Sequence, residues 1–511
     1  MKFIKLFFSR MGIITSFLIL QMAVLFLALR YFSDNYAYVQ GIYTVITIML
    51  SIYILRRRGS YAYKTLWIAL IALLPIFGVA MFLLTSQDWI SEERRQQLGG
   101  PPVDFREHNL FEKVPISELR EKSENAALQA EYLDRAALAP LYKNITSEYL
   151  KSGELFFERL LEDLEKAERF IYLEFFIIGK GKLWDRFLEV LERKAAEGVD
   201  VKIIYDDFGT ILRMSAKYPE ELAKKGIKCG VFQRFLPIIT GTYMNRNHRK
   251  ICVIDGIIAY TGGVNLADEY ANIITRFGHW YDSGIRVEGE AAHGFMMMFL
   301  SMWNYVFKLN PSMKVHELPE ISLLGENRSD GYCIPFCDSP VDDEPVGMNS
   351  YISMISKAQR YIYICTPYLS LDESILSALS IAVKSGVDVK IVVPGIPDKK
   401  LVNMVTKSYY EPLLNAGVRV YEYTPGFMHS KTIVADDDYG ICGSINFSFR
   451  SFHLNYESAV WLYKTKSVLQ MRDAFLELLP ECTEITKEHC KSTPYLVKVA
   501  RDVLSIFAPL V

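Results

Sequence analysis

The chain repeats itself, and this internal repeat restricts its fold more than any other feature. Residues 167–176 (AERFIYLEFF) and 358–367 (AQRYIYICTP) are similar, and the hexapeptide GVDVKI occurs at 198–203 and again at 386–391. A duplicated pattern of this kind folds into the same structural unit twice. We therefore predict two similar lobes packed face to face, with a site between them that receives one copy of each motif.

Each copy has the order of segments that is typical of a βαβ unit. An apolar run rich in β-branched and aromatic residues precedes a helical stretch (183–197 and 372–385) and then a second apolar run. Later apolar runs at 250–255 (KICVID) and 431–436 (KTIVAD) match as further strands. Because a βαβ crossover places its two strands in parallel, the pattern predicts an α/β fold of two duplicated lobes with mostly parallel sheets flanked by helices.

The first ninety residues are the most apolar part of the chain and predict a membrane anchor. Residues 11–32 and 36–55 are each about as long as the ~20 apolar residues that a spanning helix needs. A third stretch, 66–85, is interrupted by Pro75 and Gly78, so a kinked span and a re-entrant segment both remain open. We expect an integral membrane protein with two or three transmembrane helices.

The charges around these segments bear on topology. Lys2, Lys5 and Arg10 precede the first segment, but its apolar run exceeds the ~7–15 residues of a signal-peptide core, which disfavours cleavage. Basic residues at 56–58 and 64 place the second connection in the cytoplasm, together with the N-terminus. The body then lies outside if the third segment crosses the membrane, and inside if it only dips into it.

Four regions follow from these patterns. We predict a hydrophobic anchor at 1–90, a polar linker at 91–130, a first lobe at 131–325 and a second lobe at 326–511. The Gly-Gly-Pro-Pro run that begins at residue 99 ends any helix continuing from the anchor, which favours a linker there. The oligomeric state is left open.

Charge and cysteine usage exclude some classes of function. The formal net charge is only −2, so the chain has no general basic field, and we expect no nucleic acid partner. The cysteines form no C-x-x-C pair, which argues against a disulfide framework. Cys333 and Cys337 lack a second pair or a nearby histidine, and we interpret them as two unpaired thiols rather than half a metal site.

Two sets of polar residues recur with the same spacing in the two copies. They are His248, Lys250, Asp255 and Asn265 in the first half, and His429, Lys431, Asp436 and Asn446 in the second. In a strand, alternate side chains point to one face, so each histidine shares a surface with its lysine. The glycine-bearing turns at 262–263 and 443–444 allow the chain to approach closely and to present each asparagine at the same place.

These residue types suit the chemistry of phosphodiesters. A neutral imidazole attacks phosphorus at physiological pH, and a second, protonated imidazole donates to the departing oxygen. Lysine and asparagine donors stabilise the charge that develops on the non-bridging oxygens. We therefore expect a site that uses neither metal nor cofactor.

A nucleophilic histidine also needs an acceptor that holds its other ring nitrogen. Glu457, in the segment FHLNYES, is the candidate for the second copy. In the first copy the candidate is Asp282, in HWYDS, with Glu269 as an alternative.

Several of these motifs resemble a known family. The pattern H-x-K-x4-D occurs twice, followed by GGVN (262–265) and GSIN (443–446), and resembles the phospholipase D superfamily. Further strings are similar to the bacterial cardiolipin synthases: LEFFII (173–178), NRNHRKI (245–251), TGGVNLADEY (261–270), GFMHSKT (426–432), LPIFG (74–78) and VLSIFAPLV (503–511). The similarity extends over nearly the whole chain.

This resemblance implies a ping-pong transfer in the bacterial cytoplasmic membrane. One histidine takes the phosphatidyl group of phosphatidylglycerol and expels glycerol, and a second phosphatidylglycerol then attacks the adduct to give cardiolipin. By the family's usual assignment His248 is the nucleophile and His429 the acid and base, although the symmetry of the repeat offers no independent choice. Asp255 and Asp436 are then structural supports.

Three other functions compete with this one. A phospholipase D would use water as the acceptor and yield phosphatidic acid, and no residue excludes it. A nuclease is disfavoured by the near-neutral charge and the hydrophobic leader, and a non-enzymatic scaffold by the presence of every motif residue. Among the other histidines, we interpret His279, His293 and His453 as structural and His108, His316 and His489 as facing solvent, and residues 295–303 (FMMMFLSMW) as a buried helix rather than a lipid contact.

Overall fold

The structure is a computed structural model of the 511-residue chain. It describes residues 113–234, 245–309, 329–341 and 344–508, together with shorter stretches between residues 19 and 111. Two helices lie in those shorter stretches, α1 (Tyr36–Arg56) and α2 (Tyr61–Leu73). Two more, α3 (Ile116–Lys122) and α4 (Glu124–Ala136), precede the first sheet.

The three expected membrane spans differ in how much of each the structure describes. The span expected at 11–32 lies mostly outside the described residues, whereas the one at 36–55 coincides with α1. The third begins within α2, and its centre at 74–77 is not among the described residues. No described helix is both long enough and apolar enough to cross a membrane. The spans therefore remain a prediction.

The first half forms a seven-stranded sheet in the order β1-β9-β7-β6-β2-β3-β4. The strands of this half are β1 (Ile145–Leu150), β2 (Phe170–Phe175), β3 (Asp200–Asp206), β4 (Lys228–Phe232), β5 (Arg246–Asn247), β6 (Ile251–Ile254), β7 (Ile258–Gly262), β8 (His279–Tyr281) and β9 (Gly284–Gly289). Its helices are α5 (Gly153–Leu164), α6 (Lys182–Ala196), α7 (Asp207–Thr210), α8 (Tyr218–Ala223) and α9 (Ala292–Phe307), with a 3-10 turn at Asp268–Ala271.

The second half repeats this arrangement, with sheet order β10-β17-β16-β15-β11-β12-β13-β18. Its strands are β10 (Tyr332–Asp338), β11 (Tyr361–Cys365), β12 (Asp388–Pro394), β13 (Arg419–Tyr423), β14 (Gly426–Met428), β15 (Thr432–Ala435), β16 (Tyr439–Gly443), β17 (Asn455–Tyr463) and β18 (Cys482–Ile485). Its helices are α10 (Val346–Lys357), α11 (Glu373–Lys384), α12 (Lys400–Ser408), α13 (Tyr410–Ala416), α14 (Phe449–His453), α15 (Lys466–Leu478), α16 (Lys487–Ser492) and α17 (Tyr495–Ile506), with a 3-10 turn at Leu479–Glu481.

The sheets are mixed, which corrects the prediction that they are mostly parallel. Along the two strand orders given above, the parallel neighbours among the described strands are those joined through crossover helices, namely β2, β3 and β4 in one half and β11, β12 and β13 in the other. The later strands are joined by short turns, as between β6 and β7, and such a connection permits only antiparallel pairing. Periodicity identified the crossover units correctly, but not the antiparallel strands added beside them.

Each sheet buries one face against its own helices and the other against the second sheet. Alternate residues of a strand point to opposite faces, so Ile171 and Leu173 pack on the first half's helices. Tyr172, between them, lies in a core shared with second-half residues such as Val434. The Met-rich helix α9 lies in this shared core with Met297 fully buried, which confirms the interpretation of 295–303 as a buried helix.

Part of the expected polar linker is instead structured. Residues Leu119, Ala126 and Leu133 of α3 and α4 are buried in the core of the second half. The side chain of Gln129 accepts a hydrogen bond from the indole nitrogen of Trp461 at 3.0 Å. Helices α3 and α4, which span the end of the expected linker and the start of the expected first lobe, therefore pack on the second half, a long-range contact that local composition does not reveal.

The aspartates of the repeated motifs lie in the β6–β7 and β15–β16 turns and bind the backbone at the start of the two crossover units. Asp255 accepts hydrogen bonds from the backbone N–H groups of Glu168, Arg169 and Phe170, each at 2.8 Å. Asp436 does the same in the second half, for residues 359–361 at 2.7 to 3.0 Å. Both adopt left-handed backbone conformations, with φ of 52° and 60°. Each aspartate thus fixes the start of β2 or β11 against the following hairpin.

Replacing Asp255 by alanine should lower the free energy of unfolding by about 2–4 kcal/mol, because three backbone donors lose their acceptor and alanine disfavours a positive φ. Asp255→Asn should cost less, since asparagine tolerates this φ and keeps one acceptor oxygen. Urea unfolding followed by tryptophan fluorescence measures both. The control, Glu189→Ala on the exposed face of α6, should stay within about 0.5 kcal/mol of the parent. Equal stabilities for all variants would contradict this role.

Candidate active site

Two short parallel strand pairs join the halves where the repeated histidines lie. In one, β5 of the first half pairs with the beginning of β17, with Asn247 opposite Tyr456. In the other, β14 of the second half pairs with β8, with Met428 opposite Tyr281. Each histidine directly follows one of these strands. The backbone N–H of His248 donates to the carbonyl of Tyr456 at 2.9 Å, and that of His429 donates to the carbonyl of Tyr281 at 2.7 Å.

This pairing sets each histidine beside a carboxylate of the other half. Nδ1 of His248 lies 2.9 and 3.0 Å from the two carboxylate oxygens of Glu457. Nδ1 of His429 lies 2.6 Å from Oδ2 of Asp282. Both predicted acceptors are therefore at the site, but the expected partners are exchanged. The prediction paired residues within a copy, whereas the parallel strands align each histidine with the carboxylate that follows the tyrosine it donates to, Glu457 after Tyr456 and Asp282 after Tyr281.

A glycine of the repeated motif lets the second of these pairs form. A Cβ atom on Gly263 would lie 2.1 Å from Oδ1 of Asp282 and 2.8 Å from the carbonyl oxygen of His429. Any larger residue would push the carboxylate away from the histidine ring. The close approach expected of the GGVN turn is thus required by the contact between the halves.

Glu457 lies in an environment that favours the ionised carboxylate. It is fully buried, and it accepts hydrogen bonds from the hydroxyls of Ser444 and of Ser451 (2.8 Å) and from Nδ2 of Asn455 (3.1 Å). Burial acts to raise its pKa, but His248, Lys250 and Ser444 outweigh burial, and the pKa is lowered. Burial lowers the pKa of His248 to about 4, against the opposing effect of Glu457. The pair therefore combines an anionic carboxylate with a neutral imidazole that donates through Nδ1.

Asp282 lies in a different environment. Burial raises its pKa to about 7, although Lys431 and the backbone N–H of Ser283 oppose this shift. Burial and the neighbouring lysines also hold the pKa of His429 well below its usual value. Since both members of this pair resist carrying charge, they share one proton up to about neutral pH. The symmetry of the backbone thus does not extend to the protonation of the two pairs.

The two lysines of the motifs contact the backbone of the histidines. Nζ of Lys250 donates to the carbonyl oxygen of His248 at 2.5 Å, and Lys431 donates in the same way to His429. Burial lowers the pKa of Lys431 to about 8 and that of Lys250 well below its usual value. Asp282 and Glu457 counteract this shift at both lysines. Each lysine is thus a buried cation or near-neutral amine whose charge depends on the carboxylates.

A cavity of about 560 Å³ lies between the halves, and both histidines and both motif asparagines line it. Asn265 is held through its Oδ1, which accepts a hydrogen bond from the backbone of Ile177 at 3.0 Å. Oδ1 of Asn446 meets no donor within the described part of the chain, although it is buried. The structure therefore brings these four residues to one space, as expected, and leaves Asp255 and Asp436 at the turns described above.

Several residues of this site were not identified from the sequence. They include the three donors to Glu457, the cavity-lining arginines Arg246 and Arg450, and the aromatic rings Phe176, Tyr270 and Trp280 that surround the imidazoles. Ser444 lies in the GSIN motif, Phe176 in the repeated segment 167–176, and Arg246 and Tyr270 in strings that resemble the family, but none of these patterns assigned them a role. Glu269, the alternative acceptor, instead forms ion pairs with Arg213 at 2.5 Å and Arg276 at 3.1 Å.

The remaining histidines lie away from the reacting groups. His279 pairs through Nδ1 with the hydroxyl of Tyr423 at 2.9 Å, His293 and His453 are not on the described cavity wall, and His489 is exposed. His108 and His316 are outside the described residues. Within the described ranges no three His, Cys, Asp or Glu side chains group as a metal site requires, and the described cysteines, Cys333 and Cys337 included, form no disulfide.

Comparison with protein families gives two matches. The family described as "Cardiolipin synthase, PLD-like domain" matches residues 160–303 and 351–479, once in each half. The family described as "Phospholipase_D-nuclease N-terminal" matches residues 45–87.

Similar proteins cover most of the chain. A cardiolipin synthase of Geobacillus kaustophilus is 34% identical over 87% of this chain and 88% of its own length. One of Alkalihalophilus pseudofirmus is 32% identical over 88% of this chain and 89% of its own. An uncharacterized protein of Streptococcus mutans is 38% identical over 87% of this chain and 95% of its own.

Among solved structures, the phosphatidylserine synthase of Haemophilus influenzae has a similar fold, with a TM-score of 0.54. It is 17% identical, and the match covers 76% of this chain and 98% of that one. At this identity the likeness concerns the fold alone.

Double-mutant cycles on unfolding free energy should detect the crossed pairs. His248→Phe with Glu457→Gln should show a coupling of at least about 1 kcal/mol, because the buried hydrogen bond exists only when both residues are present. His429→Phe with Asp282→Asn should behave alike. The same four substitutions in the other combination, His248 with Asp282 and His429 with Glu457, serve as the matched control and should couple by less than about 0.5 kcal/mol. Stronger coupling within a half would overturn the crossed arrangement.

Proposed function

This chain belongs to the family of cardiolipin synthases with phospholipase D-like domains, and we propose that it transfers a phosphatidyl group from one phosphatidylglycerol to another, giving cardiolipin and glycerol. One observation carries this proposal. Two imidazoles of opposite halves line one cavity, and each is held through Nδ1 by a buried carboxylate, which leaves both Nε2 atoms for the reacting phosphodiester.

The different protonation of the two pairs supports different roles. An ionised Glu457 accepts the Nδ1 proton of His248, so Nε2 of His248 keeps its lone pair and acts as the nucleophile. A protonated Asp282 donates to Nδ1 of His429, so Nε2 of His429 carries a proton and acts as the acid. The carboxylate environments thus distinguish the histidines, which the repeated motif does not.

The first half-reaction follows from these roles. Nε2 of His248 attacks phosphorus, a P–N bond forms and the P–O bond to glycerol breaks. The departing oxygen takes the proton from Nε2 of His429, and the proton of Asp282 passes to Nδ1. The adduct leaves a positive charge on the ring of His248, which the anionic Glu457 balances. Glycerol is released as a neutral alcohol.

The second half-reaction reverses these proton movements. Nε2 of His429 takes the proton of a hydroxyl on the second phosphatidylglycerol, whose oxygen attacks phosphorus and breaks the P–N bond. Cardiolipin forms and His248 regains its lone pair. We assign Lys250, Lys431, Asn265 and Asn446 to support of the phosphate oxygens, directly or through the backbone that presents the histidines. No step in this sequence calls for a metal or a cofactor.

The location and organisation of the chain are part of the proposal. We propose that residues 1–90 anchor the protein in the bacterial cytoplasmic membrane through two or three helices, and that lobes at 131–325 and 326–511 form the catalytic body. The match of residues 45–87 to an N-terminal phospholipase D family region and the apolar sequence of this part support an anchor.

Replacing either catalytic histidine by alanine should reduce cardiolipin formation by about 10³-fold or more, because the P–N bond or the leaving-group proton is lost. Purified protein is supplied with phosphatidylglycerol labelled in its phosphate and headgroup, and the lipids and free glycerol are separated and counted. The parent should release one glycerol per cardiolipin. His489→Ala, on the exposed surface, is the control and should leave turnover unchanged.

Two results would reject this function. Phosphatidic acid without cardiolipin would make the protein a phospholipase D that uses water. Unchanged turnover in both His248→Ala and His429→Ala would remove the enzymatic role of the site altogether.

The pH profile of kcat/KM should reflect the two pairs. Protonation of His248 removes the nucleophile, and since burial lowers its pKa to about 4, activity should persist well below the usual histidine pKa. Loss of the shared proton removes the acid, so activity should fall above the pKa of Asp282, which burial raises to about 7. Asp282→Asn has no acidic proton to pass to Nδ1, so kcat should fall by about tenfold or more and the alkaline limb that Asp282 causes should disappear. Glu457→Gln is the matched control, whose alkaline limb should stay in place while kcat falls.

A further inference from the structure

The C-terminal helix α17 exposes its apolar side chains to solvent, the reverse of what is usual for a helix on a water-soluble body. No residue of this helix is buried, and Leu496, Val499, Val503 and Ile506 form one stripe at helical spacing that faces away from the protein. Leu496 is 79% exposed and Ile506 56% exposed. The other side of α17 packs on α12. On that side, Nζ of Lys498 lies 3.8 Å from a carboxylate oxygen of Glu411 in α13. A helix on a protein core normally buries its apolar stripe and exposes its charges.

This exposed stripe continues into the mouth of the active-site cavity. Ala508, which follows α17, lines the cavity together with Lys399 and Val402 of the adjoining α12 segment. Leu401, between the latter two, is 62% exposed. In the first half Leu212 is 75% exposed and directly precedes the cavity residue Arg213.

A second segment of the first half also presents an exposed aliphatic side chain next to a cavity residue. Ile274 is 48% exposed and stands two residues before the cavity residue Arg276. We call Leu212, Ile274 and Leu401 the apolar rim. Three separate chain segments thus each present an aliphatic side chain to solvent beside a residue of one cavity.

Basic groups accompany this apolar surface. Lys399 and Lys400 are exposed directly before Leu401, and Arg276 is half exposed beside Ile274. Asp502 is the single acidic residue in α17. Exposed aliphatic side chains with cations between them match the surface of an anionic bilayer, where acyl chains lie beneath phosphate groups.

The lining of the cavity indicates the same occupant. The two histidines, both motif asparagines and several arginines line it, and such groups suit a phosphate headgroup. The acyl chains attached to that headgroup need an apolar medium at the opening.

We propose that the apolar rim and the outer stripe of α17 form a lipid-docking surface, which lies in the headgroup and upper acyl region of an anionic bilayer so that the cavity opens directly onto the membrane. This inference rests on the proposed function in its choice of substrate. It adds a second attachment, distinct from the N-terminal segment, that sets the orientation of the body. Donor and acceptor lipids then reach the histidines without leaving the bilayer.

The full-length protein, reconstituted in vesicles of equal parts phosphatidylglycerol and phosphatidylcholine, tests this contact directly. A fluorophore on Val503→Cys should be quenched by lipids brominated on their upper acyl carbons. The same label on Ile381→Cys is the matched control. Ile381 is 65% exposed on α11, which runs from the cavity edge of its sheet back toward the opposite edge, so its label should not be quenched. Equal quenching at both positions, or none at Val503→Cys, would overturn the proposal.

Kinetics on two forms of the substrate separate docking from catalysis. Val499→Glu/Val503→Glu should lower turnover of long-chain phosphatidylglycerol in vesicles by about tenfold or more, because charged groups are costly in the acyl region. Turnover of a monomeric short-chain phosphatidylglycerol should stay unchanged, since that substrate needs no bilayer. Ile381→Glu should retain both activities. A loss on both substrates would assign the helix a structural role and overturn the docking role.

Two further outcomes distinguish the alternatives. If Val499→Glu/Val503→Glu converts a dimer to a monomer in sedimentation and Val503→Cys stays unquenched, the stripe binds a second copy of the chain and the proposal fails. If the label is quenched but the parent forms no cardiolipin, the docking surface stands and the proposed function fails.

Discussion

The site depends on two short parallel strand pairs that cross between the halves. Each pair places the histidine that follows one strand beside a carboxylate of the other half, and so sets His248 against Glu457, within β17, and His429 against Asp282, directly after β8. Backbone hydrogen bonds from both histidines fix this register. Because neither half contains a complete histidine and carboxylate pair, neither half alone provides the chemistry. The site therefore exists only where the two halves are in contact.

The duplicated backbone is used asymmetrically. Ser444, Ser451 and Asn455 all donate to Glu457, which offsets the effect of burial on its pKa. Asp282 has no comparable set of side-chain donors among the described residues, and burial prevails there. A histidine held by an anion presents the lone pair of Nε2 to a substrate. A histidine held by a neutral acid presents a proton on Nε2 instead. In the proposed mechanism, hydrogen bonds to the carboxylates are therefore what gives the two equal motifs different roles.

Much of the fold followed from local pattern, and the exceptions share a cause. The repeat and the strands around GVDVKI identified two α/β units, because alternation of apolar residues is a local property. The same reasoning overestimated the parallel strands, since the turn between β6 and β7 rather than the apolar run sets strand direction. It also placed Leu119 and Leu133 outside the second lobe, although both side chains are buried in the core of that lobe. The pattern of a single segment does not predict its strand partners or its long-range packing.

The sequence by itself determined the residue types of the site, because the chemistry of phosphodiesters needs imidazoles, ammonium groups and amides, and these recur with the same spacing in both copies. It also determined that there are two copies, and that Glu457 and Asp282 are suitable acceptors. Only the tertiary structure decided which carboxylate holds which histidine, since that depends on strand pairing between halves. It alone decided how buried each carboxylate is and which donors surround it, and these determine where the protons lie.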